Sequence, residues 1–208
     1  MKESTAGYAQ EAPALLKLYE SISAETLHQP VWHLIPTTPS TLIDIGAGTG
    51  RDAAHFAAMG HQMLAVEPVA EMREGAMKLH PSPRIEWLAD TLPALARVRA
   101  RGQTFDAVLA TAVWMHLDAS ERAAAMPAVA SLVRPEGVLL LSLRHGPVPE
   151  GRRMFEVTPE ETITLAAREG LTCLVNVVTP SRQGPEVTWS RLGFRKLSSR
   201  VARGNPRA

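Results

Sequence analysis

From residue 41 onward, short aliphatic runs alternate with alanine-rich stretches of helical period, the pattern of βαβ units wound around a mostly parallel sheet. Thr41–Ile45 (TLIDI), Gln62–Val66, Ile85–Leu88 and Phe105–Ala110 read as strands. Val138–Leu143 (VLLLSL), apolar on both faces, reads as a central strand covered by helices on each side. Arg51–Met59 and Val69–Leu79 read as helices, the first stopped by Gly60. Ala119–Val133 reads as a third, capped by Asp118 with Glu121 at N3. Thr158-Pro159-Glu160-Glu161 combines an N-cap threonine, proline at N1 and glutamate at N3, and predicts a helix running to Glu169, with Gly170 behind it. Leu171–Thr179 and Glu186–Arg195, separated by Pro180-Ser181-Arg182-Gln183-Gly184-Pro185, predict an antiparallel hairpin at one edge. The expectation is an α/β fold with a doubly wound sheet of seven strands, mostly parallel with a C-terminal antiparallel β-hairpin, and helices on both faces. Ahead of it, residues 1–40 form a helical cap segment, with an amphipathic helix over Pro13–Ser23 and a proline-rich connector over His33–Ser40.

Composition narrows the class. The 208 residues carry 45% hydrophobic and 21% charged content, which suits one domain over 41–195 with its own core. No run approaches the roughly 20 apolar residues of a membrane helix. A single cysteine, Cys173, excludes an internal disulfide and suits a reducing cytoplasm, and residues 1–10 lack the apolar core of a secretory signal. A net charge of +1 gives no overall field for nucleic acid. The segment after Glu186 carries Arg191, Arg195, Lys196, Arg200, Arg203 and Arg207 without an acid, ending in a basic tail over 196–208. It reads as a solvated face, since no aromatic residue lies between the charges after Phe194 to stack on bases.

The most informative stretch is Asp44-Ile45-Gly46-Ala47-Gly48-Thr49-Gly50, three alternate glycines between a buried strand and a helix. Without Cβ atoms the chain at Gly46 and Gly48 can turn sharply and lie against a ligand, and the following helix offers free N–H groups. Glycine turns of this kind also serve tight packing alone. Glu67 changes the balance. It stands 21 residues after Gly46 and just past the second strand, where a carboxylate can accept both hydroxyl protons of a ribose. A nucleoside site follows.

These residues resemble the class I S-adenosylmethionine-dependent methyltransferases, whose first motif is similar to LIDIGAGTG at Leu42–Gly50. The resemblance runs from about Thr41 to Leu143: Val66-Glu67-Pro68 falls at the ribose position, Ala89-Asp90 after strand three, and Phe105-Asp106-Ala107-Val108 at the start of strand four. It implies a Rossmann-like fold, with S-adenosylmethionine as donor and S-adenosylhomocysteine as product. Gly46, Ala47, Gly48 and Gly50 would face the methionine part, Glu67 and Pro68 the ribose, Asp90 and Thr91 the adenine, and Thr111 the end of strand four. Met72 falls where relatives lay an apolar side chain on the adenine, and helical core packing explains it equally well. Asp44 either braces the glycine loop or reaches the donor's amino group. A nicotinamide-binding Rossmann unit is the main competitor, but GxGxxG spacing would need glycine where Arg51 stands. A non-catalytic cofactor-binding module is the third reading.

The crevice rule for open α/β sheets places the acceptor at Thr111–Leu117 and Arg144-His145-Gly146, after strands four and five. His116 is the candidate proton acceptor, with bracing of its loop as the alternative. Trp114 would wall the acceptor pocket or fill the core; Arg144 and His145 would meet the substrate or a surface partner; Tyr8 would close the pocket from the N-terminal segment. Asp52 opens a helix and suits its positive end. The motif that nucleic-acid amino-methyltransferases carry after strand four, Asn or Asp followed by Pro-Pro and an aromatic residue, is lacking. Neither a cysteine nucleophile after that strand nor a thiol set for arsenic is present. The seven histidines show no metal-binding spacing, so no metal is expected. The reading is methyl transfer to oxygen or nitrogen of a small molecule, with no membrane or nucleic-acid partner, and an oligomeric state that the sequence leaves open.

Overall fold

The computed structural model describes Thr5, residues 7–182 and residues 184–198. Seven strands form a single sheet: β1 (Thr41–Ile45), β2 (Gln62–Val66), β3 (Ile85–Leu88), β4 (Phe105–Ala110), β5 (Val133–His145), β6 (Leu171–Pro180) and β7 (Thr188–Lys196). Their order is β3-β2-β1-β4-β5-β7-β6. The first five pair in parallel, and β7 inserts antiparallel between β5 and β6. The order reverses between β1 and β4, so the connections leaving these two strands part there and open a crevice at their carboxyl ends.

Period-two alternation builds the two cores. Ile43, Ile45, Val108, Leu139 and Leu141 face one side, under α5 (Ala96–Arg99), α6 (Ala119–Leu132) and α7 (Pro159–Arg168). Leu42, Leu109 and Leu140 face the other, against Phe56 and Ala57 of α3 (Arg51–Ala58) and Val31 of the 3-10 turn Gln29–Leu34. The helix starts read from sequence are present: Asp118 and Glu121 form a reciprocal capping box, and Thr158 accepts from Glu161 N–H with Pro159 in the first turn.

Three boundaries differ from expectation. The N-terminal helix α1 spans Tyr8–Tyr19, beginning a turn before Pro13. Pro13 lies on its exposed side, while Ala12 and Leu15 pack with Met72 and Val69 beside α4 (Ala70–Leu79). That apolar contact extends the helix through a residue that in isolation reads as a start. A short helix, α2 (Ala24–His28), follows it. Strand β5 begins at Val133, because Val133 already pairs with Phe105 before the bulge that resets the register at Ala107 and Val138. Finally, β7 runs one residue past the expected Arg195 to Lys196, and its Arg191, read as part of a solvated face, is buried. The rest of the expected basic tail, residues 199–208, lies outside the described residues.

Candidate active site

The crevice at the carboxyl ends of β1, β2 and β4 encloses a cavity of about 450 Å³, roofed by α1. Its floor is the glycine loop. Gly46 and Gly48 have φ of 74° and 56°, in the left-handed region. A Cβ on Gly46 would collide with Val113 Cγ1, whereas one on Gly48 would meet nothing nearer than 4.0 Å and would fill the crevice. Gly46→Ala is therefore expected to lower the urea midpoint, costing about 1–3 kcal/mol for the backbone strain with a further loss from the collision. Gly102→Ala, also at positive φ but with nothing within 4 Å, should cost about 1–2 kcal/mol.

Glu67 holds the loop. Its Oε2 accepts from Gly48 N–H at 2.9 Å and its Oε1 from Val69 N–H at 2.9 Å, so one carboxylate ties the β1 turn to the β2 turn. Burial pushes its pKa up, partly offset by those two N–H groups. Each oxygen keeps a lone pair for a further donor. Asp90 is tied similarly, accepting from Thr91 N–H and Val98 N–H at 2.9 Å. Asp44 is different. It is 2% exposed, and among the described residues its Oδ1 has no hydrogen-bond partner and no bond from it braces the loop. Burial drives its pKa well up, and the neighbouring Asp52 adds to this while Arg51 opposes it. A buried carboxylate oxygen facing a crevice without a donor is costly unless a ligand supplies one.

On the opposite wall, His116 Nδ1 lies 2.8 Å from Arg153 O, which can only accept, so Nδ1 carries the proton and Nε2 holds a lone pair. Tyr8 donates its phenol proton to that Nε2 at 3.1 Å. Burial lowers the His116 pKa below its ordinary 6.5, with Arg152 and Arg153 adding to the effect, and burial raises that of Tyr8 far above its ordinary value. The pair is therefore a neutral imidazole and a neutral phenol at pH 7. Arg152 anchors Tyr8 from the side: its guanidinium lies 4.3 Å from the ring centroid and forks onto Glu11 at 3.1 and 2.7 Å.

Residues 42–137 match the family model of the methyltransferase domain. Over these residues, a little under half of its length, the chain is similar to the class I S-adenosylmethionine-dependent methyltransferases. Curated relatives from Mycobacterium bovis and Mycobacterium tuberculosis, each named an uncharacterized methyltransferase, are 29% identical over 106 residues, which is 51% of this chain. The match spans only 40% of those relatives' length. The fold is shared with the 1,6-didemethyltoxoflavin-N1-methyltransferase of Burkholderia thailandensis, solved with its substrate and S-adenosylhomocysteine. That likeness has a TM-score of 0.66 and 23% identity, and covers 89% of this chain and 79% of the other. The SAM-bound magnesium protoporphyrin IX methyltransferase of Synechocystis gives a TM-score of 0.62 at 16% identity, covering 91% and 80%.

The crevice gathers most of the residues singled out from sequence. Asp44, Gly46, Ala47, Gly48, Glu67 and Pro68 line it on the β1 and β2 side, Asp90 and Thr91 beyond β3, and Thr111, His116, Tyr8 and Arg144 on the remaining walls. Four others lie elsewhere. Gly50 is the left-handed N-cap of α3, where a Cβ would come within 2.7 Å of Trp87. Met72 is buried with Leu15 and Val69, the packing alternative. Trp114, expected in the acceptor wall, is fully buried in the core. His145 follows Leu143 by two residues and so turns to the α6 side of the sheet, where its Nε2 meets Ser190 Oγ at 2.7 Å.

Several lining groups escaped the sequence reading. Asp52 is buried beneath the loop, bonded to His28 Nε2 at 2.7 Å and Arg51 Nε at 2.8 Å, and these partners hold its pKa far below the usual carboxylate range despite burial. Thr111 Oγ1 reaches the same carboxylate at 3.4 Å. The sequence reading gives the Asp52 carboxylate a place at the helix end only. Arg152, Trp189 and Arg191 also line the crevice. For Arg191 a signal existed, a charge set within an otherwise apolar strand run.

Proposed function

We propose that this protein transfers a methyl group from S-adenosylmethionine to an oxygen or nitrogen of a small-molecule acceptor. The observation that carries the reading is the unpartnered, buried Asp44 Oδ1 beside the glycine loop, an acceptor atom placed for the donor's amino group. The bare face of Gly48 leaves room for the amino-acid end of the same molecule, the free lone pairs of Glu67 suit two ribose hydroxyls, and Asp90 suits the adenine amino group. When bound, S-adenosylmethionine supplies a methyl carbon made electrophilic by its sulfonium.

The chain's own tasks are then placement and proton removal. The α1 roof excludes water from the acceptor side. His116, neutral and with its Nε2 lone pair toward Tyr8, takes a proton from the acceptor as Tyr8 swings its phenol aside or relays the proton through it. Apolar walls from Val113, Met115 and Met154 suit a small organic acceptor. Among the described residues no helix is long and apolar enough to cross a membrane, and no cluster of three or more potential metal ligands occurs.

Isothermal titration tests the donor half directly. S-adenosylhomocysteine is expected to bind saturably with one site per chain, and a nicotinamide dinucleotide to give no heat. The reverse pattern would overturn the proposal.

A further inference from the structure

The acids of the crevice keep off one wall: Glu11 stands on α1, where it pairs with Arg152, and the cation Arg51 on α3 is held by Asp52. Asp44, Asp52, Glu67 and Asp90 all stand on β1, α3 and the turns after β2 and β3, where the proposed donor lies. The β5 and β7 wall contributes no acid; it offers Arg144, Trp189 and Arg191. Antiparallel register sets Arg144 opposite Trp189 and Ser142 opposite Arg191, so the two arginines lie on a diagonal of the strand pair, with Cβ atoms roughly 7–8 Å apart. Leu140 belongs to the α3-side core, and Ser142 and Arg144 rise from the same face two and four residues on.

Arg191 is the anomaly. It is 7% exposed, its Nε is buried without a hydrogen-bond partner, and its guanidinium makes no hydrogen bond or ion pair with any described residue. Its guanidinium carbon lies 5.2 Å from the ring centroid of Trp189, and the charges of Asp52 and Arg51 act on it in opposite senses. The nearby Arg51 is already engaged by Asp52 and by Tyr19 O, and Arg152 by Glu11, whereas Arg144 spends one nitrogen on Pro147 O. Two arginines with free donors therefore flank one indole in a partly enclosed, otherwise apolar wall. A planar guanidinium that is desolvated and unpaired calls for a planar anion.

Resting on the function proposed above, we infer that the methyl acceptor is an acid, whose carboxylate is held by Arg191 and Arg144 beside Trp189 while its apolar body extends toward Met115 and His116. This placement puts the anion on the β5 and β7 wall and leaves the acceptor's nucleophilic atom free to point at the methyl. The same chemistry could serve the donor's own carboxylate, which the test separates.

The experiment uses the full chain saturated with S-adenosylhomocysteine, so that the donor's carboxylate is already in place. Benzoate, 4-hydroxybenzoate, phenylacetate and indole-3-acetate are titrated against their neutral amides by ligand-observed NMR. At least one acid is expected to bind about tenfold or more tightly than its amide. Arg191→Gln is expected to bring that ratio to within about twofold with S-adenosylhomocysteine affinity unchanged; Arg144→Gln, at a half-exposed position, carries the same test should the first variant not fold. Equal binding of acids and amides, no binding of any acid, or a variant that weakens S-adenosylhomocysteine instead would overturn the inference. Failure of S-adenosylhomocysteine to bind the parent chain would instead sink the donor assignment.

Discussion

Glu67→Gln is expected to lower S-adenosylhomocysteine affinity by about 100-fold or more while the chain stays folded. The glutamate occupies two positions at once: its oxygens already accept from Gly48 and Val69 N–H, and the proposed ribose hydroxyls add two more donors to the same carboxylate. Hydrogen bonds to a charged acceptor contribute roughly 1.5–3 kcal/mol each, and a loss near 3 kcal/mol corresponds to about 100-fold. A glutamine keeps one carbonyl oxygen and turns an NH₂ toward one of the two backbone N–H groups. The orphaned N–H costs about 1–3 kcal/mol, partly offset because burial already disfavours the charged form of Glu67. Thermal melts of the variant with and without S-adenosylhomocysteine separate the two effects. A ligand-induced stabilisation equal to that of the parent would show that Glu67 only braces the turn.

His116→Asn is expected to reduce turnover by about 10²–10⁴-fold, the usual contribution of a positioned base, with donor affinity unchanged. The pH profile of the parent carries the sharper signature. Because the folded pKa lies below 6.5, the imidazole stays neutral through neutrality, and activity is expected to fall only as pH drops through that lowered value. The acid limb should disappear in the variant. Stability has its own sign. In the window below 6.5 the unfolded chain binds a proton that the native imidazole refuses, so His116 makes the fold less stable as pH falls through the unfolded value. A turnover loss of less than about tenfold, with the acid limb intact, would assign His116 to bracing its loop through Arg153 O.

The elements were legible wherever local chemistry and burial agreed. TLIDI, VLLLSL, the Asp118 cap and the Thr158-Pro159 start all stand where their patterns put them, within a few residues. Misreadings arose where a tertiary contact outvoted a local signal: Pro13 lies inside α1 because Ala12 and Leu15 pack beside α4, and Arg191 lies in a buried strand because β7 enters the sheet between two others. Within the site, residues borne on strand ends were readable because strand position decides which groups reach the crevice. His145 turns away from the crevice because a one-residue step along an extended strand carries a side chain to the opposite side of the sheet, and Trp114 turns into the core because a 3-10 turn over Trp114–His116 follows β4.

By itself, then, the amino-acid order determined the fold class, the glycine turn, and the carboxylates at or just past the ends of strands one, two and three, since each depends on spacings of a few residues and on which φ a residue tolerates. The tertiary structure alone decided that Tyr8 donates to His116, that Arg152 clamps Tyr8 through Glu11, that Asp52 lies buried under Arg51 and His28, and that Arg191 faces the crevice without an ion pair among the described residues. All but the Arg51–Asp52 contact depend on chain segments brought together across long sequence separations by burial of apolar faces. That force is non-directional and leaves no local mark on the polar residues it carries with it.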